Sequence, residues 1–354
     1  MMRDMALSVR ADLANLPDYV PGRKIPGAIV LSSNEASTPT PASVLAAIAE
    51  ASVEANRYPQ MANDDLLARL STYLGVPVER LAIGCGSVSM CQQFVQAMCT
   101  EGQEVVFAWR SFEAYPIITQ ITGARGVRVP LTPDYRHDLD AMLAAVTDNT
   151  RVIFVANPNN PTGSGLGTAE LERFLDRVPD HVLVVLDEAY REFVTDPDLP
   201  DGLRLVQGRE NLAVVRTLSK AYGLAGLRVG YAVADPMVIA AARKVGIPFA
   251  VSRVAQAAAV AALDAADELL PRCLPVTKER ERVHAALLEM GYEVPPSQGN
   301  FLWLPLGDRS AAFNQHCLDQ KIVIRTFVGE GSRVTVGLPE ENDAFLAAAR
   351  SFTA

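Results

Sequence analysis

Residue types that suit a reactive site occur together in TLSKAYGLAGLRVGY, residues 217–231. The chain has five lysines against twenty-seven arginines, and one of the five, Lys220, closely follows the strand-like run NLAVVR. An amine held at the end of a buried strand is able to attack a carbonyl group, and a nearby arginine is suited to bind an anion. The segment therefore predicts covalent chemistry at Lys220, with Ser219 and Arg228 close to it.

A second segment, GCGSVSMCQQF, has the features of an anion-binding turn. Gly84, Gly86 and Ser87 precede a predicted helix that begins near Val88. Free backbone N–H groups at a helix N-terminus, together with the helix dipole, bind phosphate or carboxylate groups. A tight strand-to-helix turn with a serine N-cap is the structural alternative for the same residues.

Polar residues also follow two other apolar runs. VANPNNPTG, residues 155–163, contains two prolines and three asparagines, a composition that predicts a sharp turn presenting Asn157 or Asn160 to a ligand. In VLVVLDEAY, Asp187 follows five apolar residues, so its semi-buried carboxylate needs a cation or N–H donors. A cofactor cation and a helix N-cap both meet that need, and Glu188 gives weak support to the N-cap.

One small molecule uses all of these groups. Pyridoxal 5′-phosphate has a phosphate for the anion-binding turn, a ring nitrogen that needs a carboxylate, a phenolic oxygen for an amide, and an aldehyde. The aldehyde condenses with a lysine amine to a Schiff base. The segments therefore predict a pyridoxal 5′-phosphate site with Lys220 as the attached amine and Arg228 at the phosphate.

The sequence pattern around these residues predicts a doubly wound α/β sheet that positions them. Seven short apolar runs between residues 81 and 234 alternate with helical patterns. Several runs are apolar on both faces, as expected for a mainly parallel sheet that helices cover on both sides. In such sheets ligands bind beyond the carboxyl ends of the strands, where the four segments lie. The runs are LAIGC, EVVFAW, VRVPL, RVIFVAN, HVLVVLD, LAVVRT and VGYAVA.

The pattern changes near residue 250. A long alanine-rich helical stretch leads into three short strand candidates, NFLWLPL, KIVIRTF and SRVTVGL, and a final helix. We predict an N-terminal arm over residues 1–30, a large cofactor-binding domain over 31–248 and a small α+β domain over 249–354.

Composition narrows the class of protein. A net charge of −9 argues against nucleic acid and anionic membranes as partners. No apolar run reaches the roughly 18 residues that span a bilayer, and the N-terminus lacks the pattern of a signal peptide, so we expect a cytoplasmic protein. The five cysteines lack C-x-x-C spacing and the four histidines lie far apart, so we expect neither disulfides nor a metal site.

NPNNPTG, DEAY and SKAYGLAGLRVGY, in this order, resemble the fold-type I pyridoxal-phosphate aminotransferases. The resemblance extends from LSSNEA to RVTVGLPEEN and is strongest to the branch that contains histidinol-phosphate and aromatic amino acid aminotransferases. It implies that family's seven-stranded fold and a homodimer with shared active sites.

The resemblance also implies a role for each site residue. Lys220 would carry the Schiff base and move the substrate proton, Asp187 would keep the ring nitrogen protonated, and Tyr190 would join Asn160 at the phenolic oxygen. Phe112 would stack on the ring, where relatives often have tyrosine, and Ala189 would pack on its other face. The phosphate-binding residues would be Gly86, Ser87, Val88, Thr217, Ser219 and Arg228, with Tyr58 contributed by the neighbouring subunit.

Three residues are assigned to the substrate. Arg333, in SRVTVG, matches the arginine that binds the α-carboxylate in a bidentate manner, and a salt bridge on an edge strand is its structural alternative. Asn34 is also expected to bind the substrate. Arg325, in KIVIRTF, matches a position that contacts the phosphate of histidinol phosphate, or it receives the distal carboxylate of glutamate, or it is a plain strand-end cation.

GCGSVSMCQQ, FAWRSFEAYP and NFLWLPLG more closely resemble the aromatic amino acid aminotransferases of high-GC bacteria. We therefore expect phenylalanine or tyrosine as donor and 2-oxoglutarate as acceptor in a ping-pong reaction, with histidinol-phosphate aminotransferase as the alternative. A decarboxylase on the same scaffold is disfavoured by Arg333. A DNA-binding regulator of this fold would need a helix-turn-helix domain, for which we expect the arm before residue 31 to be too short. A nicotinamide enzyme would need a G-x-G-x-x-G turn that GCGSVS does not complete.

Overall fold

A computed structural model of the chain describes residues 25–352, together with Arg10 and Leu13. Most of the predicted arm over residues 1–30 therefore lies outside the described residues. The described part contains thirteen α-helices and eleven strands, and the strands form two sheets.

The strands are β1 (Ile29–Leu31), β2 (Leu81–Cys85), β3 (Glu104–Trp109), β4 (Arg125–Pro130), β5 (Thr150–Ala156), β6 (Leu183–Asp187), β7 (Leu212–Thr217), β8 (Val229–Val233), β9 (Phe301–Leu304), β10 (Ile322–Phe327) and β11 (Gly331–Thr335). The helices are α1 (Ala42–Ser52), α2 (Asp64–Leu74), α3 (Ser87–Met98), α4 (Ala114–Ile121), α5 (Leu139–Ala144), α6 (Thr168–Leu175), α7 (Gly202–Leu205), α8 (Pro236–Val245), α9 (Arg253–Asp264), α10 (Ala266–Leu269), α11 (Cys273–Glu289), α12 (Ser310–Asp319) and α13 (Pro339–Ser351).

All seven strands predicted between residues 81 and 234 form, and they make one sheet in the order β2-β8-β7-β6-β5-β3-β4. The pairs β3–β4, β3–β5, β5–β6 and β6–β7 are parallel, whereas β8 runs antiparallel to both β7 and β2. The prediction of a mainly parallel seven-stranded sheet is confirmed.

The apolar runs are buried on both faces because helices cover both sides of this sheet. Along β6, Val184 and Leu186 face one hydrophobic core, and Leu183 and Val185 face the other. A strand enclosed in this way has no solvent-facing position, which explains why its sequence is continuously apolar instead of alternating. Its first polar side chain is Asp187, at the carboxyl end.

The parallel arrangement brings the ends of the chemically distinctive segments to one edge. Asp187 ends β6, Thr217 ends β7, and the turn from Asn157 follows β5. Strand β2 is parallel to β7, because each pairs antiparallel with β8, so Gly86 and Ser87 emerge at the same edge. The fold therefore gathers residues that are far apart in the chain.

The second sheet has four strands in the order β1-β10-β11-β9, with β1 parallel to β10 and the other pairs antiparallel. Helices α11, α12 and α13 pack on it through a separate core that includes Val283, Phe313 and Phe345. The three strands predicted for the C-terminal part are present.

The predicted division at residues 248 and 249 stays a prediction, and two contacts favour a different boundary. Strand β1, from residues 29–31, pairs with β10 of the small sheet. Helix α9 instead contributes Ala255, Ala258 and Ala262 to the core of the large sheet. We propose that the small domain begins after α9 and also includes β1.

Among the described residues, no helix is long and apolar enough to cross a membrane. The same residues contain no cluster of three or more acidic, histidine or cysteine side chains that could hold a metal ion. The five cysteines are free thiols, and only Cys85 is partly exposed.

The close crossing of β8 and the turn before α3 generates a stability prediction. A β-carbon on Gly230 would lie 2.2 Å from the Ser87 backbone nitrogen and 2.6 Å from the Gly86 carbonyl carbon. Backbone cannot yield as a flexible side chain does, so Gly230→Ala is expected to lower the free energy of unfolding by about 1–3 kcal/mol. Urea unfolding measures the change.

Gly226→Ala is the matched control, because a β-carbon there meets no atom within 4 Å. We expect this variant to be neutral, or stabilised by up to about 1 kcal/mol through the reduced entropy of the unfolded chain. Equal stability of the two variants would show that the turn before α3 does not depend on a glycine in β8.

Candidate active site

A cleft of about 590 Å³ lies at the carboxyl edge of the large sheet, and residues of the small sheet form part of its wall. Most of the residues predicted for the site line this cleft. They are Ser87, Val88, Phe112, Asn160, Asp187, Tyr190, Thr217, Ser219, Lys220, Arg228, Arg325 and Arg333, together with Ala189. Gly86 lies directly behind the Arg228 side chain, and Tyr58 and Asn34 lie elsewhere.

Lys220 follows β7 and extends its amine into the cleft. Its Nζ donates a hydrogen bond to the Ser33 carbonyl oxygen at 3.0 Å and lies 5.8 Å from the centre of the Tyr190 ring. Burial, reinforced by the nearby Arg333 and Arg228 guanidinium groups, lowers the pKa of the Lys220 amine to about 7. A substantial fraction of the amine is therefore neutral near pH 7 and available for proton transfer or nucleophilic attack.

The predicted anion-binding turn is present at the start of α3. The N-cap residue is Gly86, with φ of 76°, and no side chain caps the helix, so the serine N-cap alternative does not hold. The backbone N–H groups at this end thus remain available to an anion. A β-carbon on Gly86 would lie 2.4 Å from Nη2 of Arg228, so only glycine leaves room for that guanidinium.

Arg228 is held at the turn by its neighbours. Its Nη1 donates to the Ser219 hydroxyl at 3.2 Å and to the Ala225 carbonyl at 3.0 Å, and its backbone has the left-handed φ of 57°. The Thr217 hydroxyl donates to Ser219 at 2.9 Å. Hydroxyl, guanidinium and helix N-terminus therefore converge from three elements, as a phosphate requires.

Asp187 is 6% exposed, and burial raises the pKa of its carboxyl to about 6. Its hydrogen-bond donors are the Tyr115 hydroxyl at 2.9 Å and the Ala189 backbone at 3.2 Å, and both are neutral. The N-cap explanation does not hold, because only a single 3-10 turn, Arg191–Phe193, follows. A buried carboxylate with neutral donors is suited to an added cation, which would lower its pKa again.

Tyr115 is a site residue that no sequence pattern marked. Its ring stacks on Phe154 at a centroid distance of 4.4 Å with an interplanar angle of 3°, and burial beside Asp187 raises the pKa of its hydroxyl. The hydroxyl therefore stays protonated and keeps donating to Asp187. Seventy-two residues separate the two in the chain, so their pairing leaves no local signal.

The two asparagines considered in the NPNNPTG turn have different roles. Asn157 is buried and exchanges hydrogen bonds with the backbone of Leu166, so it stabilises the turn. Asn160 lines the cleft, and its Oδ1 accepts a hydrogen bond from Arg333 at 2.5 Å. Of the two alternatives, the geometry favours Asn160 as the residue that faces a ligand.

Asn34 lies behind Tyr190. It is fully buried, its Nδ2 donates to the Tyr190 hydroxyl at 3.0 Å, and its Oδ1 accepts from the Thr335 hydroxyl at 2.9 Å. Asn34 therefore orients the Tyr190 side chain. Its predicted contact with substrate stays a prediction, one that complete burial does not favour.

Tyr58 lies outside the cleft on an exposed surface. Its side chain is 78% exposed and contacts the ring of Phe249 at a centroid distance of 4.8 Å. Met61 and Ile247 are also strongly exposed. The predicted contact of Tyr58 with the phosphate of a neighbouring subunit stays a prediction, and this chain alone does not bring Tyr58 to its own site.

Two arginines line the cleft side by side, because Arg333 of β11 pairs in register with Arg325 of β10. Arg333 is buried and also donates to the Ser32 carbonyl at 2.5 Å. Arg325 forms an ion pair with Glu113, its Nη2 lying 2.7 Å from Oε2. Glu113 is the second site residue that the sequence did not mark, and its partner is 212 residues away.

These groups fit pyridoxal 5′-phosphate, the cofactor expected from the sequence. Asp187 is a buried carboxylate with neutral donors, which suits a protonated ring nitrogen. The start of α3, Ser219 and Arg228 suit the phosphate, and Lys220 supplies an amine whose pKa is near neutrality. Phe112 and Ala189 both line the same cleft, as expected of residues that enclose a ring.

Comparison with known proteins agrees with this geometry. Residues 26–349 match the family described as aminotransferase class I and II. An aromatic amino acid aminotransferase from Nocardia farcinica is 57% identical over 345 residues, which cover 97% of this chain and 96% of that protein. One from Streptomyces coelicolor is 54% identical over 355 residues, or 99% of each chain. The crystal structure of histidinol-phosphate aminotransferase from Sinorhizobium meliloti, in complex with pyridoxal-5′-phosphate, has a TM-score of 0.89 and 31% identity, covering 98% of both chains.

The raised pKa of Asp187 predicts how the cofactor-free protein responds to pH. The ordinary pKa of an aspartate carboxyl is 3.8, and that of Asp187 in the folded chain is about 6. At a pH between these two values, Asp187 is largely protonated in the folded state and largely ionised in the unfolded state. Stability therefore falls as pH rises through this window, by up to about 3 kcal/mol in total. Asp187→Asn lacks the titration and is expected to be more stable than the unaltered protein above pH 6.

Urea unfolding of both cofactor-free proteins at pH 4, 5, 6 and 7.5 tests this expectation. The stability advantage of Asp187→Asn should be smallest at pH 4 and level off above pH 6. An advantage that does not vary with pH would show that the Asp187 carboxyl is not desolvated in the folded chain.

Proposed function

The chain belongs to the class I and II aminotransferase family and uses pyridoxal 5′-phosphate, and we propose that it is an aromatic amino acid aminotransferase. It would take the amino group from phenylalanine or tyrosine and pass it to 2-oxoglutarate in two alternating, ping-pong half-reactions. The names of the relatives with more than half of their residues identical support this assignment.

The observation that carries the proposal is the apolar wall of the cleft. Three isoleucines of α4, together with Phe112 and Phe327, line the same cleft as the two arginines. An aromatic side chain buries its surface well against such a wall, whereas a charged side chain loses hydration there without a partner. The isoleucines are Ile117, Ile118 and Ile121.

When bound, the cofactor supplies a carbonyl group and an electron-withdrawing ring that stabilises negative charge at the substrate α-carbon. Lys220 provides the amine and takes and returns the proton at that carbon, a task for which a pKa near 7 is well matched. Asp187 would accept a hydrogen bond from the protonated ring nitrogen of the cofactor, and the hydrogen bond that Tyr115 donates to Asp187 keeps the carboxylate in place. Asp187 ends β6 and Lys220 lies three residues beyond the end of the neighbouring strand β7, so one sheet positions both side chains.

Substrate orientation would come from the small sheet and the turn after β5. Arg333 is directed by its contacts with Asn160 and Ser32, so its fork is preorganised for a carboxylate. Tyr190, oriented by Asn34, and Asn160 would donate to the phenolic oxygen of the cofactor. Preorganised donors of this kind need little rearrangement when a ligand binds.

We also propose a homodimer with shared active sites. An exposed aromatic and aliphatic surface that includes Tyr58, Met61, Ile247 and Phe249 supports it, because such side chains gain by being covered. Tyr58 would then reach the phosphate in the neighbouring subunit.

Histidinol-phosphate aminotransferase is the second candidate. The adjacent pair of Arg325 and Arg333 favours it, because two guanidinium groups suit a phosphate dianion. The similarity to the Sinorhizobium meliloti enzyme is compatible with it.

Lys220→Ala tests the assignment of the reactive amine. We expect turnover with phenylalanine and 2-oxoglutarate to fall by about 10²–10⁴-fold, because general acid–base catalysis at the α-carbon is lost. Borohydride reduction followed by peptide mapping should locate the cofactor on Lys220 in the unaltered protein. Lys244→Ala, which removes an exposed lysine of α8, is the matched control and should keep normal turnover. Normal turnover of Lys220→Ala would contradict the mechanism.

The two candidate substrates can be compared on one preparation of the holoenzyme. We expect kcat/KM for phenylalanine to exceed that for histidinol phosphate by about tenfold or more, since the apolar wall contributes binding to the aromatic ring. The measurement is initial rate against concentration for each donor with 2-oxoglutarate saturating. A preference for histidinol phosphate would replace the proposed function by the second candidate.

A further inference from the structure

A carboxylate of the large domain faces the substrate arginines of the small sheet. Glu113 lies just before α4, and both of its carboxylate oxygens accept hydrogen bonds from Arg325, at 2.7 and 2.8 Å from Nη2. The Arg325 Nε also donates, at 3.2 Å. The ion pair is partly buried, with 16% of the Arg325 side chain and 28% of the Glu113 side chain exposed.

The ion pair belongs to the cleft and changes its charge. Glu113, Arg325 and Arg333 all line the cleft, and the two arginines are register partners on adjacent strands. One carboxylate and two guanidinium groups give the trio a net charge of +1. The trio therefore matches one carboxylate, whereas two unpaired arginines would match the two negative charges of a phosphate monoester.

Apolar side chains near the trio strengthen the electrostatic effect of its net charge. Ile117 and Ile121 line the same cleft, and the Arg325 guanidinium lies 5.6 Å from the centre of the Phe327 ring. Charges act on one another more strongly beside apolar side chains than in water. Glu35 also lines the cleft, and its charge acts on Lys220 at the cofactor end.

We propose that Glu113 is a specificity-determining residue that neutralises Arg325, so that the site favours amino donors anchored by their α-carboxylate on Arg333 and disfavours a phosphate monoester as donor. This inference rests on the proposed aromatic amino acid aminotransferase function. A phosphate that used Arg325 would have to displace the Glu113 carboxylate and would leave it partly buried without its partner, which is costly. An amino acid that uses Arg333 alone leaves the ion pair intact.

Glu113→Gln tests the inference, because the amide keeps the shape of the side chain and removes its charge. The ratio of kcat/KM for histidinol phosphate to kcat/KM for phenylalanine should rise by about tenfold or more. Glu113→Asp keeps the charge and should retain most of the original ratio. Bound-cofactor absorbance and the thermal unfolding midpoint verify that each variant is folded.

Glu330→Gln is the matched control. Glu330 forms an ion pair with Arg110, whose guanidinium carbon lies 4.2 Å from the centre of the Trp109 ring. Neither Glu330 nor Arg110 lines the cleft. The same change of charge at this nearby pair should alter the substrate ratio by less than about twofold.

A binding measurement accompanies the kinetics. Titration calorimetry of the holoenzyme with inorganic phosphate should show binding at least about fivefold tighter to Glu113→Gln than to the unaltered protein. Unchanged phosphate affinity together with an unchanged substrate ratio would overturn the inference while leaving the proposed function intact. A preference of the unaltered enzyme for histidinol phosphate would instead overturn the proposed function and, with it, this inference.

Discussion

The burial of Asp187 at the carboxyl end of β6 is the constraint on which the rest of the site depends. Helices cover both faces of the strand, so its terminal carboxylate is desolvated and its pKa rises to about 6. Among the described residues, its hydrogen-bond donors are the neutral Tyr115 hydroxyl and the Ala189 amide. The folded chain therefore carries an electrostatic cost at the centre of its large domain, which a cationic ring nitrogen relieves. Cofactor binding and fold stability are linked through this one group.

The same edge of the sheet sets the state of Lys220. Its pKa is lowered to about 7 by burial and by Arg333 and Arg228, which bind other groups in the proposed site. The arginines suited to the phosphate and to the substrate carboxylate thus also tune the amine, because all of them converge on one cleft of limited volume. Arg333 comes from β11 of the small sheet and Arg228 precedes the antiparallel strand β8, so this coupling arises because both sheets contribute residues to one cleft.

The small sheet contributes two positively charged side chains, Arg325 and Arg333, to the cleft. Arg333 and Arg325 are neighbours only because β10 and β11 pair antiparallel in a particular register, and a shift by one residue would turn one of them away. Glu113 then connects the small sheet to the segment that precedes α4. This contact joins elements of both sheets across the cleft, so the charge that meets the substrate depends on how the two parts of the chain pack together.

Local patterns in the sequence were sufficient to predict the seven strands and to mark Lys220, Asp187, Ser219 and Arg228 as polar residues near strand ends, because continuous apolar runs and the residues that flank them are neighbours in the chain. The tertiary structure supplied the physical reason to prefer Asn160 to Asn157, and only the tertiary structure revealed Tyr115, Asn34 and Glu113 as hydrogen-bond partners of site residues. Those partners act across 72, 156 and 212 residues respectively. A hydrogen bond or ion pair between such distant positions imposes no periodicity and no local composition on the sequence. It therefore cannot be predicted from local patterns and is seen only in the folded structure.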